Sequence, residues 1–137
     1  MLDGVPERGQ TVRGYNAMDG AYVDVTNWNA SGAWAAGALA MNAADLASFA
    51  HALVDGRLFQ DAPGQLSSMT DFVSTGQERG FTGYGLGFAR LSDGRWGHSG
   101  GTPGFGAGLI IDPGLESVLV FLGNSGSFNS TRRRCPI

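Results

Sequence analysis

The chain has 137 residues, 42% of them hydrophobic and 15% charged, and carries a net charge of −3. That length and apolar share suit one globular domain over residues 1–137 and exclude a disordered tail, while the acidic balance argues against a nucleic-acid partner. The single cysteine, Cys135, excludes an internal disulfide. With two histidines no metal spacing exists, no cofactor is implied, and no apolar run is long enough to span a membrane.

In chain order, Thr11–Met18 and Ala21–Val25 flank Asp19-Gly20, a pair suited to the positive φ values of a type I′ hairpin turn. Ala43–Val54 reads as the best helix: Asn42 can cap it, Asp45 lies near the positive end of its dipole, and Gly56 can stop it. Leu46, Phe49, Ala50, Leu53 and Val54 recur at helical spacing and form a stripe made to face a core, with His51 just off it as a solvated side chain. A second, shorter helix is expected over Gln65–Val73, after Pro63-Gly64.

Strand signals then take over at Tyr84–Leu91, Arg95–Gly100, Gly106–Asp112 and Ser117–Gly123, separated by Asp93-Gly94, Pro103-Gly104 and Pro113-Gly114. Connections this short make neighbours antiparallel. The expected class is α+β: a four-stranded antiparallel meander with an N-terminal hairpin and one or two packed helices. Gly108–Ile111 and Val118–Leu122 are nearly continuous apolar runs, which implies cover on both faces. Residues 124–137 read as a frayed tail, including the arginines at 132–134, and offer no amphipathic segment to supply that cover, so the domain is expected to be incomplete. Asn29-Ala30-Ser31 and Asn129-Ser130-Thr131 are chance matches to a glycosylation pattern. Residues 1–30 show no export signal, and the compartment is left unassigned.

Gly97-His98-Ser99-Gly100-Gly101-Thr102-Pro103-Gly104 is the stretch that carries chemistry. As a G-x-S-x-G nucleophile elbow it fails, because a turn and another strand follow the serine and no histidine comes later. As the serine segment of a chymotrypsin-like protease it fails too: the preceding histidine, His51, sits inside a helix, and two barrels do not fit in this length. The remaining reading is a strand ending in a His-Ser-Gly triplet.

That triplet, with Arg13-Gly14-Tyr15, Gly37-Ala38-Leu39, Asn42-Ala43-Ala44-Asp45-Leu46 and Tyr84-Gly85-Leu86-Gly87-Phe88 in the same order, resembles the C-terminal part of a family. It is the serine β-lactamase and D-alanyl-D-alanine carboxypeptidase family, which includes class C β-lactamases, penicillin-binding proteins and related esterases. The likeness covers about residues 8–126. It implies a β-lactamase/transpeptidase-like domain and acyl transfer on amide, lactam or ester bonds, with a small peptide, β-lactam or ester as substrate. By position it places the catalytic roles on His98, in the place of the triplet's lysine, and on Gly101, whose N–H would be an oxyanion-hole donor. Ser99 and Thr102 would contact substrate, and Gly100 would allow close approach of a substrate lying along the strand. Arg90 is one residue out of step with a carboxylate-binding arginine found in some relatives and is not assigned.

The chain departs from the family at its core chemistry. All nine basic residues are arginine, so S-x-x-K cannot occur, and none of Tyr15, Tyr22 and Tyr84 begins a Y-x-N. The resulting expectation is a C-terminal portion of a serine hydrolase, inactive alone. The competing readings are a non-enzymatic sheet module or an inactive relative that binds a peptide or another chain at a strand edge, with self-association through the uncovered sheet.

Overall fold

A computed structural model of the protein describes residues 12–37, 39–76 and 80–126. Thr11, Asn129-Ser130-Thr131, Arg132–Arg134, Cys135 and most of the expected frayed tail lie outside the described residues. Among the described residues, a two-stranded hairpin (β1, Tyr15–Met18; β2, Ala21–Asp24) is followed by a 3₁₀ segment at Ala30–Ala36 and by helices α1 (Ala43–Val54) and α2 (Ala62–Met69). An antiparallel sheet then runs in chain order through β3 (Val73–Ser74), β4 (Phe81–Tyr84), β5 (Ala89–Leu91), β6 (Trp96–Thr102), β7 (Phe105–Asp112) and β8 (Ser117–Gly123). By compactness the chain divides into two units, one of Met1–Asn42, Ser99–Ala107 and Leu122–Ile137, the other of Ala43–His98 and Gly108–Phe121.

The second unit holds the hydrophobic core. Ala50 and Leu53 of α1 are buried with Phe88, Trp96, Leu109 and Ile111, and Phe59, Leu66, Met69, Phe72, Val118 and Val120 pack around them. Phe88 and Trp96 meet edge to face, 4.8 Å between ring centroids, a geometry worth about 0.5–1.5 kcal/mol beyond the area it buries. Helix α1 ends as its sequence asks. Gly56 takes φ 73°, its N–H donates to Leu53 O, and Arg57 N–H donates to Ala52 O, which closes a Schellman motif. Of the expected apolar stripe only Ala50 and Leu53 are buried. Leu46 is half-buried, and Phe49 and Val54 are exposed.

The first unit is organised by the hairpin. Asp19 and Gly20 take φ values of 50° and 81°, both positive as a type I′ turn requires. Asp24 accepts from the hydroxyl and backbone N–H of Thr26 and from Arg13 at 2.8 Å, and Thr26 Oγ1 in turn accepts from Gly14 N–H. The Pro103-Gly104 turn is held from this side: Asn16 Oδ1 accepts from Gly104 N–H at 2.8 Å, and the Phe105 ring lies against Gly14 where a side chain would stand. Asn124–Gly126, placed in the expected tail, bracket β1 instead. Tyr15 N–H donates to Asn124 O and Gly126 N–H to Tyr15 O.

The expected four-stranded meander is therefore corrected to six strands. Tyr84–Leu91 is not one strand but the end of β4, a turn at 85–88 and β5. Gly87 takes φ 89° and Gly85 N–H donates to Phe88 O, so the apolar alternation of Tyr-Gly-Leu-Gly-Phe is broken by its own glycines. The second helix begins three residues early, since Pro63 is accommodated in its first turn, and it stops at Met69 so that Val73 can pair with Tyr84. Cover on both faces holds along Gly108–Ile111, where Gly108, Leu109 and Ile111 are buried and Ile110 is half-buried, and is corrected for Val118–Leu122, where Leu119 is 55% exposed. An antiparallel sheet tolerates one open face.

Two outcomes follow from this packing. Leu53→Ala is expected to cost about 2–5 kcal/mol in chemical denaturation, because the 3%-exposed side chain is enclosed by the core. The Thr26 hydroxyl and N–H, followed by Arg13, hold the Asp24 carboxyl below its ordinary value of 3.8. A carboxyl lowered in the folded state stabilises fully above its unfolded value and loses that contribution as pH falls through the folded one. Amide protection of Val25, which donates to Gly14 O, is thus expected to fall with acidification below about pH 4, and Asp24→Asn should flatten that response.

Candidate functional site

Strand β6 changes character along its seven residues. Trp96 and Gly97 are buried, His98 is exposed, Ser99 half-buried, Gly100 and Gly101 exposed, and Thr102 half-buried. Its pairing with β5 consists of Arg90↔Trp96 and Ala89↔Gly97, so residues 98–102 continue past the end of β5.

The glycines of β6 serve different ends. At Gly97 a β-carbon would coincide with the Leu109 carbonyl, so close backbone approach excludes a side chain. At Gly100 a β-carbon would meet nothing within 4 Å, and at Gly101 only Phe105 O at 3.6 Å, an ordinary contact. Neither is among the glycines with positive φ. Backbone geometry and packing both leave these two positions free to carry a side chain, yet both are glycine.

His98 is not isolated. Its Nε2 lies 2.8 Å from Tyr84 Oη, and the rings stand edge to face at 81°. Tyr84 did not stand out in the sequence as a site residue; its signal was the Tyr-Gly-Leu-Gly-Phe turn, which returns the chain toward the triplet strand. Ser99, Gly100, Gly101 and Thr102 lie in the first unit with the clamped Pro103-Gly104 turn. Arg90 lies over the Phe72 ring at 5.4 Å, a cation–π contact that gives it a structural role. His51 is exposed on α1, away from the core positions Ala50 and Leu53.

Two shallow hollows lie elsewhere. One of about 250 Å³ is lined by Asp93, Gly94, Arg95, Asp112, Pro113 and Gly114. In it Arg95 is paired with Asp93 at 2.6 Å, and Asp112 accepts from the Gly114 and Leu115 N–H groups. The other, about 420 Å³, is lined by Tyr15, Tyr22, Asn124 and Ser125. Neither includes residues 98–102. Among the described residues no cluster of three His, Cys, Asp or Glu could hold a metal, and no helix is long and apolar enough to cross a membrane.

Comparison with known proteins gives two findings. The model of the β-lactamase family matches residues 3–137. Among solved structures, a D-stereospecific amidohydrolase from Streptomyces sp. is similar, with TM-score 0.72 and 31% identity over 86% of this chain, which spans 36% of that protein's length. No curated protein matches. The range of the family match corrects the sequence expectations. The likeness is not confined to a C-terminal portion over residues 8–126, and the reading as an incomplete β-lactamase/transpeptidase-like domain falls with it. So do the C-terminal segment of a serine hydrolase and its alternative, a non-enzymatic sheet module or inactive relative.

The two kinds of glycine on β6 separate experimentally. Gly97→Ala is expected to destabilise by about 1–3 kcal/mol, since backbone must move to admit the methyl. Gly100→Ala should change stability by no more than about 0.5 kcal/mol in the same denaturation experiment.

Proposed function

Because the chain belongs to the β-lactamase family, we propose that it recognises the acyl substrate of an amide-, lactam- or ester-cleaving site, with the substrate lying along β6. The observation that carries this reading is the pair Gly100-Gly101, open on a strand that has run past its neighbour, where nothing within the fold requires glycine. A missing Cβ there leaves room for a substrate to approach the backbone closely.

On this reading Gly101 N–H is an oxyanion donor, a contribution of about 3–4 kcal/mol to a developing tetrahedral intermediate when such a donor is well aimed. The Ser99 and Thr102 hydroxyls contact the substrate's carboxylate or amide, and His98 takes the place of the triplet's lysine as a donor at the strand's entry. Ser99 is a binding residue and not the nucleophile. The likeness to a D-stereospecific amidohydrolase favours an amide substrate carrying a D-residue. The covalent step needs a serine activated by a neighbouring base, and the 137 residues contain no lysine to complete S-x-x-K.

Calorimetric titration with N-acetyl-D-alanyl-D-alanine is expected to show weak, saturable binding with a Kd of about 1 mM, near −4 kcal/mol, and clearly weaker binding of the L,L dipeptide. Equal binding of both, or of neither, would contradict the assignment.

A further inference from the structure

Tyr84 and His98 meet at the end of β5, with Tyr84 Oη 2.8 Å from His98 Nε2. Tyr84 of β4 stands opposite Ala89 of β5, and Ala89 opposite Gly97 of β6. The last residue of β4 and the first residue of β6 beyond its pairing with β5 thus come to the same end of β5. The backbone beside Tyr84 is fixed in turn. Gly85 N–H donates to Phe88 O, Leu86 N–H donates to Met69 O at the end of α2, and a β-carbon at Gly85 would run into that same Met69 carbonyl.

The identity of residue 98 makes such a partner necessary. A lysine ammonium offers three donors that rotate freely, so it needs little aiming. An imidazole offers two nitrogens in a fixed plane, one of them unprotonated when neutral, and which one donates is set by what the other contacts. We propose that Tyr84 is a positioning residue for His98: its hydroxyl donates to Nε2, holds the neutral ring in the Nδ1–H tautomer, and leaves that N–H as the single donor facing substrate. The direction follows from acidity, since a phenol O–H is a stronger acid than a neutral imidazole N–H, and the bare imidazole nitrogen is a stronger base than the phenol oxygen. The proposal rests on the reading of β6 as the substrate strand.

The test is side-chain nitrogen NMR of the ¹⁵N-labelled chain at about pH 8.5, where an ordinary imidazole is neutral, with exposed His51 as the reference in the same molecule. His98 is expected to show a protonated Nδ1 and an unprotonated, hydrogen-bonded Nε2. In Tyr84→Phe, which removes only the hydroxyl, both nitrogens should move to the averaged positions of His51. A His98 spectrum that matches His51 in the unsubstituted chain, or that Tyr84→Phe leaves unchanged, overturns the proposal. Titration of the two proteins with N-acetyl-D-alanyl-D-alanine adds a second readout: Tyr84→Phe should bind about five- to tenfold more weakly. Unchanged affinity beside a shifted tautomer overturns the positioning role. Absence of binding by the unsubstituted chain overturns the substrate-strand reading instead, and the nitrogen shifts still decide the Tyr84–His98 pair.

Discussion

Burial of Trp96 against Phe88, in a core closed by Leu53 and Ile111, fixes where β6 begins. A strand rises about 3.3 Å per residue, so the register set by Arg90↔Trp96 and Ala89↔Gly97 determines which residues fall beside β5 and which lie beyond it. His98 is the first residue past the paired stretch, and the four residues after it have no β5 residue opposite. A core side chain thus settles which residues of β6 pair with β5. The enclosure is thin. Seven hydrophobic residues are buried among those described, with α1 contributing only Ala50 and Leu53, so loss of any one of these contacts bears on β6 directly.

Glycine carries three distinct meanings here. At Gly20, Gly56, Gly87 and Gly104 it answers a positive φ. At Gly85, Gly97 and Gly108 it admits a carbonyl or a ring where a β-carbon would stand. At Gly100 and Gly101 neither reason applies; the same is true of Gly32 and Gly114, but those two lie outside the strands, whereas Gly100 and Gly101 are consecutive on β6. A high glycine content alone would have pointed only to turns.

Much of the fold was legible in the sequence where a local signal and the tertiary demand agree. The Asp19-Gly20 turn, the α1 span Ala43–Val54 with its Gly56 stop, and the strand ending at Gly123 need nothing beyond their own residues. The errors arise where long-range contacts decide. Tyr-Gly-Leu-Gly-Phe alternates like a strand, but docking of Leu86 N–H on the Met69 carbonyl bends it. The kinked 3₁₀ segment at Ala30–Ala36, with Trp34 at φ 42°, has no periodic signal at all. The site was legible in part: residues 98–102 stood out by motif, whereas Tyr84 became visible only through pairing across β5. The family likeness itself was readable from short ordered motifs, but its extent was underestimated, because those motifs reach only from about residue 8 to 126 whereas the family model matches residues 3–137.

The central claim is that the Ser99–Thr102 stretch of β6 is where substrate lies. Backbone amide shifts followed through a titration with N-acetyl-D-alanyl-D-alanine test it most directly. The account predicts saturable changes largest at Ser99, Gly100, Gly101 and Thr102, with the Gly101 amide proton moving downfield as it takes up a hydrogen bond. Changes centred instead on the Asp93–Arg95 or Tyr15–Tyr22 hollow, with the Gly101 amide unmoved at saturation, would contradict it.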